Sequence, residues 1–493
     1  MTSPALDEVI VDRTRKEYGF LLDNKWQKSH SGQTIEILSP IDNSLVGHVQ
    51  RASIDETNAA VESAFLAQKQ WENFLIHERV DILIHTAALL DRYSDLFVDL
   101  LVLEIGKPKI EARDEVLRTV DLIIYYAEEG RRMFGEAIPS HAFPDYKKKK
   151  LAITKRVPLG VVLAISPFNY PINEVAPKIV SALVMGNSVV LKPATQGSIC
   201  ALHFAALFKE AGLPSGVLNV VTGEGGVVGD TLVSNPLISG INFTGSYETA
   251  KTITEKAGVK KLIFGLSGKD ASIVLPDADL DLAAGEIASG SFSYGGQRCT
   301  GIKRVLVHEA VADIFVEKLV GEVAKTFIIG DPRNDGVTLG PVINDKTANY
   351  ISELINQAVD LGAVVRLGGK RNGRFIEPTI LDGVTTHMRL AFEEPFGPVL
   401  PIMRIKTEEE GVAFANQSEY GLQASIFTRD IDKAFALSDS LEVATVQING
   451  KDARSPDHFP FTGFKHSGLG MVQGARYLLE EVSKIKTIVV NTR

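Results

Sequence analysis

The sequence predicts an α/β protein built on doubly wound parallel sheets. Three observations carry that expectation. From Leu159 onward, short apolar runs alternate with helical patterns, the order that parallel strands with crossover helices produce. The runs are apolar without alternation, as strands covered on both faces must be. The helical stretches are punctuated by glycine and proline, as at Gly212 and Pro214, where a helix end requires them.

Residues 160–165 (GVVLAI) read as the first strand of this unit, and a helical pattern follows over 173–183. Residues 188–191 form the next strand, stopped by Lys192-Pro193, and 199–211 the next helix. A strand over 217–221, a short helix over 227–233, a strand over 238–243 and a helix over 246–257 complete the block. A second alternating block starts near Asp270. It has helices over 279–293 and 311–325 and strands over 304–307 and 364–367. Ahead of both, residues 54–70, 78–91 and 109–129 carry long amphipathic helical patterns. Residues 484–490 read as a last strand with no sequence neighbour to pair with, an edge that invites a partner.

A chain of 493 residues fits two or three domains, and 45% hydrophobic with 23% charged residues is ordinary globular composition. The net charge of −9 argues against a general nucleic-acid binder. Its main basic run, Lys147 to Lys150, suits a solvated edge. Two cysteines are too few for a disulfide framework and fit a reducing, cytoplasmic compartment. The N-terminal segment mixes charges and lacks an apolar signal core. The apolar stretch 159–166 is too short to span a bilayer. No membrane, nucleic-acid or metal partner is expected.

One of the two cysteines stands out. Cys299 lies in GQRCT (296–300), a glycine-polar-basic approach to a lone thiol. The thiolate is the reactive form, and a neighbouring cation such as Arg298 favours it. The plainer reading is a small buried hydrophobe. Other segments are equally two-sided. The cluster Gly223 to Gly229 follows a strand and opens a helix, as a phosphate-binding turn does, but its spacing misses GxGxxG at Val228. FTGS (243–246) ends a strand and starts a helix, so Ser246 is an N-cap, a pyrophosphate ligand or both. SPFNYP (166–171) closes the first strand, where open sheets bind ligands. There the Asn169 amide is either a turn residue or an oxyanion donor.

Taken together, SPFNYP, LKPAT (191–195), FTGS, GQRCT, EEPFGP (393–398) and SGLG (467–470) resemble the aldehyde dehydrogenase superfamily in order and spacing over essentially the whole chain. The resemblance implies a cofactor-binding domain over 1–136 and 158–267, and a catalytic domain over 268–465. It also implies a small β oligomerisation arm over 137–157 and 480–493, and hence a homo-oligomer, dimer or tetramer. It implies Cys299 as nucleophile, forming a thiohemiacetal and then a thioester, with Asn169 and the Cys299 amide holding the oxyanion. Ser166, Pro167, Phe168, Gly225, Gly229, Phe243, Gly245, Ser246 and Leu266 would line the cofactor cleft, with Glu394 on the nicotinamide ribose and Phe396 beside the ring. Lys192 would reach the adenosine ribose, and Lys178 matches a lysine behind the active site. Thr195 stands where NAD-preferring relatives carry a glutamate, so NADP is expected, with NAD the weaker possibility.

Within the superfamily the chain is most similar to the non-phosphorylating glyceraldehyde-3-phosphate dehydrogenases. That branch binds substrate phosphate through arginines and a tyrosine, positions filled here by Arg118, Tyr170, Arg298 and Arg454, with Thr300 adjoining. A guanidinium fork suits phosphate. The expected substrate is an anionic aldehyde, D-glyceraldehyde 3-phosphate first, with succinic semialdehyde as the competing anion.

One departure matters. The family's general-base glutamate falls at Gly265, in FGLSGK (264–269), and Ser267 replaces a glycine. A general base contributes roughly 10²–10⁴-fold, so deacylation is expected to be impaired or unusual. An engineered trap for the thioester is one explanation. Another is a natural variant with a different base or with coenzyme A as acceptor. A third is a non-catalytic protein that keeps cofactor binding.

Overall fold

The structure is a computed structural model and describes residues 4–144, 149–454, 456–470 and 472–491. Of the lysine run, Lys147 and Lys148 lie outside the described residues, as do positions 145–148 and 492–493 of the expected arm.

Two large sheets organise the chain. The first has eight strands in the order Gly468–Leu469, Lys261–Gly265, Ile238–Thr244, Val161–Ile165, Ser188–Lys192, Leu218–Val220, Phe20–Leu22 and Lys25–Gln27. The five strands from Lys261–Gly265 to Leu218–Val220 are parallel, and the outer three pair antiparallel. Val161 to Ala164 are fully or almost fully buried, which is why the run needs no polar face. The strand Val161–Ile165 leads to Ser188–Lys192 on one side, and Ile238–Thr244 flanks it on the other. Strand order therefore reverses there, and a crevice opens at the carboxyl ends.

The second sheet has seven strands, ordered Val364–Leu367, Thr379–Asp382, Val399–Ile405, Ile302–His308, Asp270–Val274, Gln423–Phe427 and Thr445–Ile448. All but the first pair in parallel. The segment 266–269 leaves the carboxyl end of Lys261–Gly265 and enters the amino end of Asp270–Val274. Residues 293–301 reach the amino end of Ile302–His308. The two sheets thus meet at a cleft between opposite strand ends.

Most expected helices form within a few residues of their patterns, among them Ile54–Trp71, Ile76–Arg92, Lys109–Gly130, Tyr247–Ala257, Leu280–Phe292 and Glu309–Thr326. Ser53 and Glu56 close a reciprocal capping box on the first of these, an arrangement worth about 1 kcal/mol. Four expectations need correction. The helix expected from residue 173 begins only at Ala176, because the amides of Ile172 and Asn173 donate to the Glu115 carboxylate instead. The helix expected over 227–233 opens as a wide turn over Gly225–Gly229 and continues as Asp230–Ser234. Such widened turns often accompany ligand sites. The helix Ser94–Ile105 has no counterpart among the expected elements; apolar residues dominate it, so its pattern lacks a polar face. The final strand, Ser483–Asn491, does have a partner within the chain. It pairs antiparallel along its length with Lys150–Pro158, which also pairs with Ala137–Pro139.

Among the described residues no helix is long and apolar enough to cross a membrane, and no cluster of His, Cys, Asp and Glu is arranged to hold a metal.

Candidate active site

Cys299 reaches the cleft through a backbone that few sequences tolerate. Tyr294, Gly295 and Gly296 all have positive φ (51°, 58° and 68°), a run that glycine permits and tyrosine resists. A Cβ on Gly296 would strike the carbonyl of Gly397. The turn holds Gln297 inside, where its side-chain oxygen accepts from the Ile343 amide at 3.0 Å. The thiol is left half-buried on the cleft wall. The other cysteine, Cys200, is fully buried in a helix and fits the role of a small hydrophobe.

A cavity of about 480 Å³ adjoins the thiol. Ser166, Pro167, Phe168, Asn169 and Tyr170 enter it from the end of Val161–Ile165, and Phe243, Gly245 and Ser246 from the neighbouring strand. Leu266, Glu394 and Phe396, expected at the cofactor, and Thr300, Arg118, Arg298 and Arg454, expected at the substrate, also line it. These sixteen expected residues, Cys299 included, converge on one cavity from segments more than 300 positions apart. Ser246 also caps its helix, accepting from the Thr249 amide at 3.3 Å. Lys192, Thr195, Gly225, Gly229 and Gly265 do not line this cavity. Lys192 and Gly229 adjoin each other, a Cβ on Gly229 lying 3.8 Å from Lys192 Cε, and Thr195 is exposed just beyond. Gly265 is buried at the end of its strand, with its carbonyl accepting from the Gly245 amide at 3.1 Å.

The thiol environment corrects one expectation. Burial raises the Cys299 pKa to about 12, and the carboxylates of Glu174, Glu394 and Asp270 push it the same way. The cation that opposes them is Lys303, not Arg298. Lys303 Nζ hydrogen-bonds the Cys299 carbonyl and stands 3.2 Å from Glu394 Oε1. Arg298 turns its guanidinium toward the carbonyl of Gly290. Asn169 donates through Nδ2 to the Gln297 carbonyl at 2.9 Å. A primary amide carries two N–H donors, so one remains for an oxyanion beside the sulfur.

The arginines are unequal. Arg118 is committed to Asp457 at 3.1 Å and to the Arg454 carbonyl at 3.2 Å. Arg454 Nη1 pairs with Glu174. Arg454 Nε and Nη2 and Arg298 Nε are buried with no hydrogen-bond partner among the described residues. Unsatisfied buried donors are costly, and a dianionic ligand would satisfy them.

Several supporting residues escaped the sequence. Lys107 is wholly buried, paired with Glu115, and donates to the Asn169 carbonyl at 2.9 Å. Its ammonium is sandwiched between the rings of Tyr170 (3.9 Å) and Tyr294 (4.1 Å). Glu115 in turn holds the amides of residues 172 and 173, so this one ion pair fixes the loop that carries Asn169. Glu174 also lines the cavity. Its carboxylate accepts from Lys178 Nζ and Thr244 Oγ1, both at 3.3 Å. A charged residue inside a helical stretch normally reads as a solvated face, and no spacing in the sequence marks these as buried.

The aldehyde dehydrogenase family profile matches residues 26–488. The chain belongs to that family. It is therefore an oxidoreductase. NADP-dependent glyceraldehyde-3-phosphate dehydrogenase of Pisum sativum is 46% identical over 476 residues, covering 96% of this chain and 95% of that one. The protein of the same name from Streptococcus equinus is 45% identical over 474 residues, with 96% and 98% covered. The crystal structure of NADP-dependent glyceraldehyde-3-phosphate dehydrogenase from Bacillus halodurans C-125, complexed with NADP, superposes with a TM-score of 0.94 at 47% identity and covers 96% of this chain and 99% of that one.

Proposed function

We propose that this aldehyde dehydrogenase oxidises D-glyceraldehyde 3-phosphate to 3-phosphoglycerate, using NADP, and releases the acid by a route that does not use position 265. The observation that carries the substrate is the cationic end of the cavity. Arg298 and Arg454 bring to it buried donors with no hydrogen-bond partner among the described residues, with Arg118 and Tyr170 alongside. A phosphate matches that donor set better than a neutral group or a single carboxylate, which ranks succinic semialdehyde second.

The residues present fit a dinucleotide. Ser166 Oγ is buried without a hydrogen-bond partner among the described residues. The glycines at 225 and 226 leave open space for a close approach to backbone amides. Buried Lys192 makes only a 3.4 Å bond to the Pro193 carbonyl, and burial lowers its pKa to about 8; an adjacent phosphate would raise it again and pair with the ammonium. Thr195 carries no carboxylate to repel a 2′-phosphate. When bound, NADP supplies the acceptor for a hydride.

Cys299 attacks the aldehyde carbon, and the oxyanion is held by Asn169 Nδ2 and the Cys299 amide. Lys303, through the Cys299 carbonyl and Glu394, fixes the nucleophile's backbone and favours the thiolate. Loss of hydride leaves a thioester on Cys299, which water must then cleave. The readings 1–136 with 158–267 as cofactor domain, 268–465 as catalytic domain, and 137–157 with 480–493 as arm belong to the same proposal. Exposed Ile485, Ile488, Val489 and Val490 on the terminal strand give the arm an apolar surface for a second copy; sedimentation tests that.

Stopped-flow mixing tests the chemistry. With D-glyceraldehyde 3-phosphate and NADP, a burst of NADPH stoichiometric with Cys299 should precede a slower steady phase. No burst with this aldehyde, but one with succinic semialdehyde, reassigns the substrate. Dependence of the steady phase on added coenzyme A reassigns the acceptor. NADP binding without hydride transfer from any aldehyde makes the protein non-catalytic.

A further inference from the structure

We propose that Glu174 is the base that activates the deacylating water, in place of the carboxylate absent at position 265. The inference rests on the thioester route above. Thr244 and Gly265 are register partners on adjacent parallel strands, about 4.8 Å apart. Glu174 Oε2 is bonded to the Thr244 hydroxyl and to the Lys178 ammonium. A carboxylate from the turn that precedes the helix Ala176–Val184 therefore contacts the residue directly across the ladder from Gly265.

Three further observations support it. Glu174 and Cys299 line one cavity. Among the charges around the thiol, Glu174 is the one that raises its pKa most. Arg454 and Lys178 hold Glu174 below the ordinary carboxylate pKa, against the effect of its burial, so it is ionised and able to accept a proton. A carboxylate offers about four acceptor sites. Arg454, Lys178 and Thr244 occupy three, leaving one for water. A low pKa makes a weak base. A substrate phosphate that draws Arg454 away removes one of the two cations responsible and adds a like charge, and both changes raise the Glu174 pKa.

The step balances as a thioester hydrolysis. The water oxygen bonds to the acyl carbon while one of its protons passes to Glu174 Oε. The tetrahedral intermediate collapses, the C–S bond breaks, and the sulfur leaves with the bonding pair. The products are the carboxylic acid, which ionises, and the Cys299 thiolate, which recovers a proton from Glu174.

The alternative role for Glu174 is to neutralise Arg454, and burst kinetics separate the two. In Glu174→Gln the stoichiometric NADPH burst should persist. The steady rate should fall by ~10²-fold or more, and the acyl adduct should accumulate on Cys299. Hydroxylamine, which cleaves thioesters without a base, should restore turnover, as should the added change Gly265→Glu. An unchanged steady rate, loss of the burst itself, or failure of both rescues overturns the assignment. Should Glu174→Gln lose NADP binding through misfolding, Glu174→Asp is read in the same assay. The same burst with a slower steady rate supports the role, and an unchanged steady rate overturns it. Absence of a burst in the unaltered protein instead removes the substrate reading, whatever Glu174 does.

Discussion

Lys303 reaches back four residues to bond the carbonyl oxygen of Cys299, and it is the cation that draws the thiol's pKa down. The sequence places Arg298 next to the sulfur, but adjacent side chains on a turn diverge. The residue that returns to the site comes from the strand that the turn feeds. The balance still favours the thiol, because burial and three carboxylates outweigh one ammonium. A group titrating near 12 is ionised at pH 7 to only about 1 part in 10⁵. Alkylation of the free protein by iodoacetamide should therefore be slow at pH 7 and rise about tenfold per pH unit up to pH 10. Lys303→Met removes a cation that favours the thiolate, so it should slow alkylation at every pH in that range.

The arginine cluster gives a second test. Arg298→Met should lower kcat/KM for D-glyceraldehyde 3-phosphate about 10- to 100-fold, equivalent to ~1.5–3 kcal/mol for a hydrogen bond to a charged group. Unphosphorylated glyceraldehyde should change less than about threefold, since it makes no such bond. Equal losses on both substrates would mean that Arg298 supports the turn rather than the anion.

Much of this site was legible because its parts sit at strand ends. The motifs at 166–171 and 243–246 follow apolar runs that allow only buried strands, and a parallel sheet brings such ends together. The arginines at 118, 298 and 454 were legible only through resemblance, since nothing local distinguishes a pocket arginine from a solvated one. Lys107, Glu115, Glu174 and Lys303 were not legible at all. Each is buried by partners distant in sequence, and charge in a helical or loop stretch ordinarily signals solvent. The final strand was recognised as a strand, but its partner at Lys150–Pro158 was not, because antiparallel pairing across more than 300 residues leaves no spacing to read.

Cofactor choice is testable at one exposed position. Thr195→Glu places a carboxylate beside the expected 2′-phosphate, where like charges repel. KM for NADP should rise about tenfold or more, while KM for NAD should change little. Unchanged discrimination would move the phosphate subsite away from Thr195.

The Lys107–Glu115 pair is expected to matter for both stability and catalysis. Both side chains are almost wholly inaccessible, and burial pulls the Lys107 pKa down while Glu115 holds it up. Lys107→Met leaves the Glu115 carboxylate buried without its cation, a loss of about 3–5 kcal/mol. Urea unfolding should show it as a lower midpoint. kcat should fall as well, because Asn169 loses the bond to its carbonyl. A stable variant with unaltered kcat would separate the pair from the oxyanion donor.

Every proposed step passes through a covalent bond between Cys299 and the substrate's former aldehyde carbon. Intact mass spectrometry within the burst phase, followed by peptide mapping, measures it directly. An adduct of one phosphoglyceroyl group on the peptide containing Cys299 is the expected result. Continued NADPH formation with that peptide unmodified, or after the thiol has been fully alkylated, would contradict it.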